Sequence, residues 1–555
     1  MVPRPSDASR PGRAPLAVRA GLALVVAAAC AAGWRLRWVL DDAFISFRYA
    51  HNAVLGHGLV FNPGESPPVE GYTNFLWTAI ATLPIALGRD PVLPMLALGV
   101  ALCAATLLAT FALARRCAER PAHALLATAL VASSYTFLCF ATSGLETMLQ
   151  CALVTGAFAL AAGLDARAPA AWRLVAVSLC GAGALLTRLD SAVPGAVLAA
   201  WLAWRLRGAD ARGLAAARLL APAAALVGAW LAWTLAFYGE LLPNTWYARE
   251  AGLALATRAA RGLRYLGGFA LDYGVAPALV LVAWVPRAAR TPRQALLVAT
   301  VLAWAAYVVH AGGDYMEYRF AVPVLPLLTT ALVVAAAALG RAANVALAAL
   351  AVALVAGSVT HGLRNDGSPI GEGRLAPADP RAPAEPFRTH WEAVRRTVER
   401  YAGSERWRWT LPALGAAGYY TRFHLVDLHG LTDRAIAREG RVADIGPAHD
   451  KYASLATLRA RGVTFANSFG DPCHYRQFFG AELDGAALHQ VAFDLGEGRR
   501  TAMLLLYLTP DPAADRLLAE RGRRVALPSA AQCAAERRAR GEHWIAPGEP
   551  AREAD

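Results

Sequence analysis

The feature that most limits what this chain can fold into is a succession of long apolar runs. Each is rich in Ala, Leu and Val and about 17–24 residues long, enough for a helix to cross a hydrocarbon layer of about 30 Å. The runs fall near residues 14–34, 92–114, 122–141, 146–163, 171–187, 191–206, 217–237, 268–285, 294–311, 319–339 and 342–358. Hydrocarbon offers no water to backbone N–H and C=O groups, so segments of this kind cross it as helices. Composition agrees. Of 555 residues, 56% are hydrophobic and 17% charged, whereas soluble domains are about 45–50% apolar and about 25% charged. A soluble helical protein would not need so many runs of this length.

The first run, Ala14 to Trp34, follows the polar stretch RPSDASRPGR. No small-residue cleavage site is clear after it. Two aspartates, Asp41 and Asp42, follow in place of a mature soluble domain, so the run reads as an uncleaved anchor rather than a signal peptide. The segment 75–88, FLWTAIATLPIALG, is short and is followed at once by RDP. It reads as a helix lying along the membrane interface. Eleven spans with the N-terminus inside then sort the loops. RRCAERPAH, DARAPAAWR, RLRGADARGLAAAR, PRAARTPRQ and GRAAN fall on the cytoplasmic side, as the positive-inside rule requires. Asp41–Trp77, TSGLE, TRLDS, YGELLPNTWYARE and GGDYMEYR fall on the outer face. Counting 75–88 as a span would reverse everything after it and place ARR and RLR outside. Every loop that mixes acidic, aromatic, Gly, Asn and Arg residues therefore gathers on one face, which plain connectors have no reason to do.

The net charge of +13 lies mostly in arginines of short loops, and Lys451 is the only lysine. Charge alone gives nucleic-acid binding no support. Six of the eight cysteines (Cys30, Cys103, Cys117, Cys139, Cys151, Cys180) sit in or beside apolar runs, at no metal-ligand spacing, and read as small core residues. Cys473 and Cys533 lie in the polar C-terminal part. They form a disulfide if that part is extracytoplasmic, and stay as free thiols otherwise. After Ser358 the chain turns polar and Pro/Gly-rich, the composition of a linker. The expected division is a cytoplasmic tail over 1–13, a transmembrane domain over 14–358 whose first loop is 35–91, a linker over 359–386, and a mixed α/β domain over 387–555. In that domain HWEAVRRTVERYA has helical spacing, while FHLVDL, VTFANSF and TAMLLLYL read as strands.

The aspartate pair raises a chemical question, because carboxylates at a membrane lip are costly. One answer is a solvated helix end, or an ion pair with Arg35, Arg37 or Arg48. The other is a general base that takes a proton from an acceptor hydroxyl, made more basic by the repulsion within the pair. The other outer-face residues suit a sugar carried on a phosphate. Arg48, Arg188 and Arg319 offer bidentate donors to phosphate, although lone arginines at this depth are ordinarily anchors. Tyr72, Trp77, Trp246, Tyr247, Tyr315 and Tyr318 suit a membrane interface and equally a sugar ring. Asn74, Asn244, Glu146, Asp190 and Asp314, with His57 and Glu70 in the first loop, complete the expected substrate-binding set. No P-loop, no GxGxxG after a strand, no HExxH and no CxxC occurs. TSGLE lacks the strand–turn–helix setting of a serine-hydrolase elbow. Asp41 and Asp42 suit a divalent cation, but no full ligand set accompanies them.

Taken in order, DDAFISFRYAHNAVLGHGLVFNPGESPPVEGYTNFLW, TSGLET, TRLDS, YGELLPNTWYA, GGDYMEYRFAVPVLPLL and DLHGLTDRAIA resemble the bacterial membrane glycosyltransferases of the GT-C type. The best-known relative is the mycobacterial terminal arabinofuranosyltransferase. The resemblance runs from about residue 38 to about residue 450. It implies a multi-pass helical protein of a bacterial inner membrane, with the active site and the C-terminal α/β domain on the periplasmic side. It implies a polyprenyl-phosphate sugar donor, arabinofuranose in the best-known case, a cell-envelope glycan or glycolipid acceptor, and no tightly bound cofactor. The implied reaction is an inverting single displacement with Asp41 or Asp42 as base. The interfacial helix and YGELLPNTWYARE would guide the lipid. Asp427, His429 and Asp433 either line the cavity or cap a strand-to-helix turn. A transporter or flippase would carry its polar groups at the bilayer midplane and show repeats, and a glycan-binding scaffold would tolerate loss of both aspartates.

Overall fold

The computed structural model describes residues 14–250, 253–276, 291–364, 383–403, 405–442, 449–467, 471–483 and 486–539. Its helices begin with α1 (Leu16–Arg35), α2 (Asp41–Val54), α3 (Phe75–Ala86), α4 (Val92–Cys117), α5 (Pro121–Ala132) and α6 (Tyr135–Cys139). Then follow α7 (Thr147–Ala162), α8 (Ala171–Thr187), α9 (Ala192–Arg205), α10 (Arg212–Tyr238), α11 (Asn244–Glu250), α12 (Leu255–Asp272), α13 (Pro292–Ala311), α14 (Leu325–Ala337) and α15 (Ala343–Arg364). Contacts divide the chain into two units. A helical unit comprises Met1–Arg37, Met95–Ala229 and Ala259–Ala376, and a mixed unit comprises Trp38–Pro94, Trp230–Arg258 and Pro377–Asp555. This division is interleaved along the chain. The first loop and the 230–258 segment pack with the C-terminal part.

In the helical unit the apolar runs are helices, as the lack of hydrogen-bonding solvent demands. Among the described residues, six helical stretches are long and apolar enough to cross a membrane: Leu16–Arg35, Val92–Cys117, Arg212–Tyr238, Pro292–Ala311, Arg319–Ala337 and Gly340–Arg364. The run at 122–141 is broken instead of continuous. α5 stops at Ala132, and the Ser134 side chain starts α6 by accepting from the Phe137 N–H, the local competition that serine offers to a helix. The run at 268–285 also departs from expectation. α12 begins at Leu255 and ends at Asp272, while 277–290 lie outside the described residues. α15 continues to Arg364, six residues into the expected linker; 365–382, like the tail 1–13, lie outside the described residues. Small residues let helices approach closely. A Cβ on Gly99 would stand 2.2 Å from the Ala141 carbonyl oxygen.

The mixed unit is built on a six-stranded sheet in the order β2-β1-β5-β7-β6-β8. Its strands are β1 (Arg408–Leu411), β2 (His424–Asp427), β5 (Val463–Asn467), β6 (Ala487–Gly496), β7 (Arg499–Tyr507) and β8 (Gly522–Val525). A separate two-stranded ribbon is formed by β3 (Arg441–Val442) and β4 (Lys451–Tyr452). β1 runs parallel to both neighbours and the remaining pairs are antiparallel. The expected strands are β2, β5 and β7. The β6–β7 hairpin turns on Glu497 and Gly498, both at positive φ (51° and 73°), the conformation that matches strand twist in a two-residue loop. Helices α16 (Glu385–Val398), α17 (Gly415–Thr421), α18 (Arg434–Glu439), α19 (Leu455–Ala460), α20 (Pro472–Phe479), α21 (Pro512–Arg521) and α22 (Ala530–Ala539) accompany the sheet. Cys473 and Cys533 form a disulfide between α20 and α22.

α2, α3 and the loop between them belong to this unit because polar side chains stitch them to it. Asn62 continues edge strand β2. Its Nδ2 donates to the Leu425 carbonyl at 2.8 Å and its Oδ1 accepts from the Leu425 N–H at 3.1 Å, covering an edge that would otherwise be open. Arg48 donates to the carbonyls of Phe61 (2.5 Å), Phe423 (2.9 Å) and Gly418. It is 4% exposed. Its guanidinium also meets Asn62 Oδ1 at 3.4 Å, so Arg48, expected from the sequence to meet phosphate, acts here as a clamp on the backbone. Arg48→Leu is expected to cost about 1–3 kcal/mol for each carbonyl left without a donor, read as a fall in the melting temperature of the detergent-solubilised protein. An unchanged melting temperature would contradict the clamp.

Candidate functional site

Asp41 and Asp42 open α2, where the helix N-terminus favours negative charge. The two oxygens of Asp41 are fixed. Oδ2 accepts from the Gly415 N–H at 2.8 Å and Oδ1 from the Ala416 N–H at 2.9 Å. These amides begin α17 and have no partner within their own helix, so a carboxylate from α2 caps α17 from outside. Phe44 reinforces the contact, with Tyr419 and Tyr420 at 5.8 and 5.4 Å between ring centroids. The approach requires glycine at 415, where a Cβ would lie 2.0 Å from the Asp41 carbonyl oxygen. Burial pushes the Asp41 carboxyl up to about 6. The two amide bonds pull it down, and the charge of Asp42 adds to the rise.

The other expected residues of the mixed unit divide by what they touch. Asn74 Oδ1 accepts from Ser46 (3.1 Å) and Thr78 (3.0 Å), and Tyr72 shares a hydroxyl contact of 3.3 Å with Tyr238. Tyr247 stacks under Arg438 at 4.2 Å. His57 is exposed. Glu70 is buried, and its carboxyl is pushed up to about 8 by burial, with the charge of Glu240 adding. Asn244 is buried. Its Nδ2 donates to the carbonyls of Gly430 (2.7 Å) and Leu431 (3.0 Å), which fastens α11 to the following turn. The DLHGLTD segment is such a turn. Asp427 accepts from the N–H groups of His429 and Thr432, both at 2.9 Å. Asp433 caps α18 through Ala435 (3.0 Å) and Ile436 (3.1 Å) and pairs with Arg461. His429 is buried with Nδ1 on the Lys451 carbonyl at 2.9 Å. The hydrogen bonds of the capping reading are present, and Asn244, Asp427, His429 and Asp433 all take part in holding this turn.

In the helical unit the structure gathers Glu146, Arg188, Asp190, Asp314 and Arg319 around Phe320. Arg188 bridges Glu146 (2.8 Å) and Asp190 (2.7 Å), and Arg319 pairs with Asp314 (2.7 Å). Both guanidinium groups lie 5.7 Å from the Phe320 ring centroid. Gln150 and Tyr307 also reach Asp190, at 2.6 and 3.4 Å. Arg319 Nη2 is buried with no hydrogen-bond partner among the described residues. Half-buried Tyr315 turns its N–H to Asp314 Oδ1 at 3.0 Å. A second polar cluster escaped the sequence reading. Glu317 accepts from Thr136 (2.7 Å) and Tyr273 (3.0 Å) and meets His361 (2.8 Å). Its members come from four distant segments, so no local motif announces it. Among the described residues no group of three or more His, Cys, Asp or Glu side chains is placed to hold a metal.

No family model matches the chain. Two curated relatives do. The terminal beta-(1->2)-arabinofuranosyltransferase of Corynebacterium glutamicum is 29% identical over 343 residues, 53% of this chain and 47% of the relative. That of Mycobacterium tuberculosis is 27% identical over 285 residues, 48% of this chain and 41% of the relative. The chain thus spans about half the length of the curated relatives it matches. Among solved structures, ArnT from Cupriavidus metallidurans in the apo state superimposes with a TM-score of 0.56 at 14% identity, over 89% of this chain and 100% of ArnT. ArnT bound to undecaprenyl phosphate gives 0.52 at 14% identity, over 89% of this chain and 99% of ArnT. The chain shares the fold of these ArnT structures. The multi-pass helical architecture with a C-terminal α/β part, expected from the loop motifs, is the one observed.

Within this fold the contact between Asp41 and α17 can be tested by overpacking it. Gly415→Ala forces a methyl group into the Asp41 backbone and is expected to cost about 1–3 kcal/mol, visible as a lower melting temperature. A melting temperature equal to wild type would show that α2 and α17 are not held in this register.

Proposed function

We propose that the chain is a membrane glycosyltransferase of a bacterial inner membrane. It moves a sugar from a polyprenyl-phosphate donor to a hydroxyl of a cell-envelope glycan or glycolipid, on the periplasmic face. The names of the curated relatives support arabinofuranose as the sugar. ArnT bound to undecaprenyl phosphate supports a lipid-phosphate leaving group on this fold. The Cys473–Cys533 disulfide supports an oxidising compartment for the C-terminal part.

The observation that carries the reading is Asp41, a carboxylate held in place by two amides and poised at about 6. A general base works best when its pKa lies near the working pH. In the proposed step Asp41 takes the proton of the acceptor hydroxyl. That oxygen bonds to the anomeric carbon while the bond from carbon to the phosphate oxygen breaks, and the configuration inverts. The polyprenyl phosphate leaves with the bonding electron pair. Asp42 contributes charge that keeps Asp41 basic.

The test is release of polyprenyl phosphate from a panel of polyprenyl-phosphate sugars that includes the arabinofuranosyl donor. Asp41→Asn is expected to lower turnover about 10²–10⁴-fold. In wild type kcat/KM should fall as pH drops through about 6, because protonated Asp41 cannot accept a proton. Asp42→Asn should move that limb to lower pH, since it removes a neighbouring negative charge. Full turnover in Asp41→Asn would overturn the mechanism.

A further inference from the structure

The mixed unit holds a cleft of about 350 Å³ that the proposed step does not use. Its walls include His51 of α2, Arg395 and Glu399 at the end of α16, and Tyr419, Tyr420 and Arg422 at the end of α17. That volume lies within the about 300–1,000 Å³ of small-ligand sites. The aromatic wall is rigid. Tyr419 and Tyr420 meet edge to face at 5.0 Å. Tyr420 is pinned by Phe44 and by its hydroxyl on Asp90 at 3.3 Å, and Tyr419 lies 5.8 Å from both Phe44 and His51. Opposite charges stand side by side, since Arg395 and Glu399 pair at 3.1 Å one turn apart.

Arg422 is the telling residue. It ends α17 with φ at 61°, in the left-handed region. Glycine is the usual occupant there because a Cβ is crowded. Arg422 is exposed, and no carboxylate pairs with it among the described residues. A long cation kept in a conformation that suits glycine, at the mouth of a cleft, points to a ligand. The mixture of ring faces, fork-shaped donors and a carboxylate suits a polyhydroxylated ring more than a lipid tail.

Its place in the fold narrows the ligand. α2 runs from Asp41 to His51, and ten residues of helix span about 15 Å. α17 likewise begins on Asp41 and ends at the cleft. A sugar held at the His51 and Arg422 end of the cleft stands about 10–15 Å along these helices from Asp41, a distance that a chain of several sugars spans and a single ring does not. We propose that the cleft is a distal acceptor subsite that grips an oligosaccharide behind its reacting end. This rests on the glycosyltransferase reading given above.

The test measures binding without turnover. Tetrasaccharides of arabinofuranose, of mannopyranose and of a uronic-acid-containing chain are titrated onto the Asp41→Asn protein in detergent. The same titrations are made with Tyr419→Ala or Arg422→Gly added. At least one tetrasaccharide is expected to bind, with Kd rising tenfold or more in both double variants. Arg422→Gly should melt no lower than its parent, because glycine accepts this φ, so a lost affinity cannot be ascribed to misfolding. With an otherwise wild-type enzyme, Arg422→Gly should raise the acceptor KM and leave kcat little changed. Binding lost in the double variants, with no donor turned over by wild type, would sustain the cleft and remove the glycosyltransferase reading. Donor turnover with acceptor KM unaffected by either substitution, or no tetrasaccharide bound at all, would overturn the cleft.

Discussion

The mixed unit depends on the way α2 holds a seven-residue helix by both ends. Isolated helices this short are not stable in water. Asp41 takes the two leading amides of α17, and Arg48, seven residues later on the same face of α2, takes the carbonyls of Gly418 and Phe423. The contacts join positions 370 or more apart in sequence. A carboxylate serves donors and a guanidinium serves acceptors, so the polarity of the helix decides which charge stands where. The consequence for chemistry is that Asp41 cannot drift. Whatever reaction it serves is served from a fixed point.

The same logic sorts the other charges. A buried charge is tolerated only when it is paired and hydrogen-bonded. In the helical unit Arg188 meets this with two carboxylates, and Arg319 with one. Arg319 retains a buried nitrogen without a partner among the described residues, which distinguishes it from Arg188 and from Arg48. Three arginines that look alike in sequence thus differ in what they have left to offer. The distinction depends on counting donors and acceptors around each one, which only coordinates permit.

Much of the fold was legible. Apolar length announced the helices at Leu16–Arg35, Val92–Cys117 and Pro292–Ala311, because a bilayer imposes both length and helical geometry. β2, β5 and β7 were legible as apolar runs bounded by polar residues. β1 was not, since four residues around Trp409 carry too little pattern, and β6 was hidden because its buried positions do not alternate strictly. Asp41 and Asp42 in the mixed unit, and Glu146, Arg188 and Arg319 in the helical unit, were legible as charges stranded beside apolar runs. The capping roles of Asp427 and Asp433 were visible only as one of two options, because a carboxylate that binds sugar and one that caps a turn are the same residue type.

By itself, then, the sequence determined the class of molecule. Hydrophobic length and the sorting of loops depend on composition along the chain, and neither needs a long-range contact. Tertiary structure decided which polar groups remain for chemistry. Whether Arg48 binds a phosphate or three carbonyls depends on Gly418 and Phe423, and whether Asn244 binds a sugar depends on Gly430 and Leu431. A donor has a fixed number of hydrogens, and one given to a distant carbonyl is not offered elsewhere, whereas a carboxylate that accepts two amides, as Asp41 does, keeps further lone pairs. Position 415 shows the same thing from the other side. Its glycine is ordinary in sequence, and only the Asp41 backbone pressed against it shows why nothing larger fits.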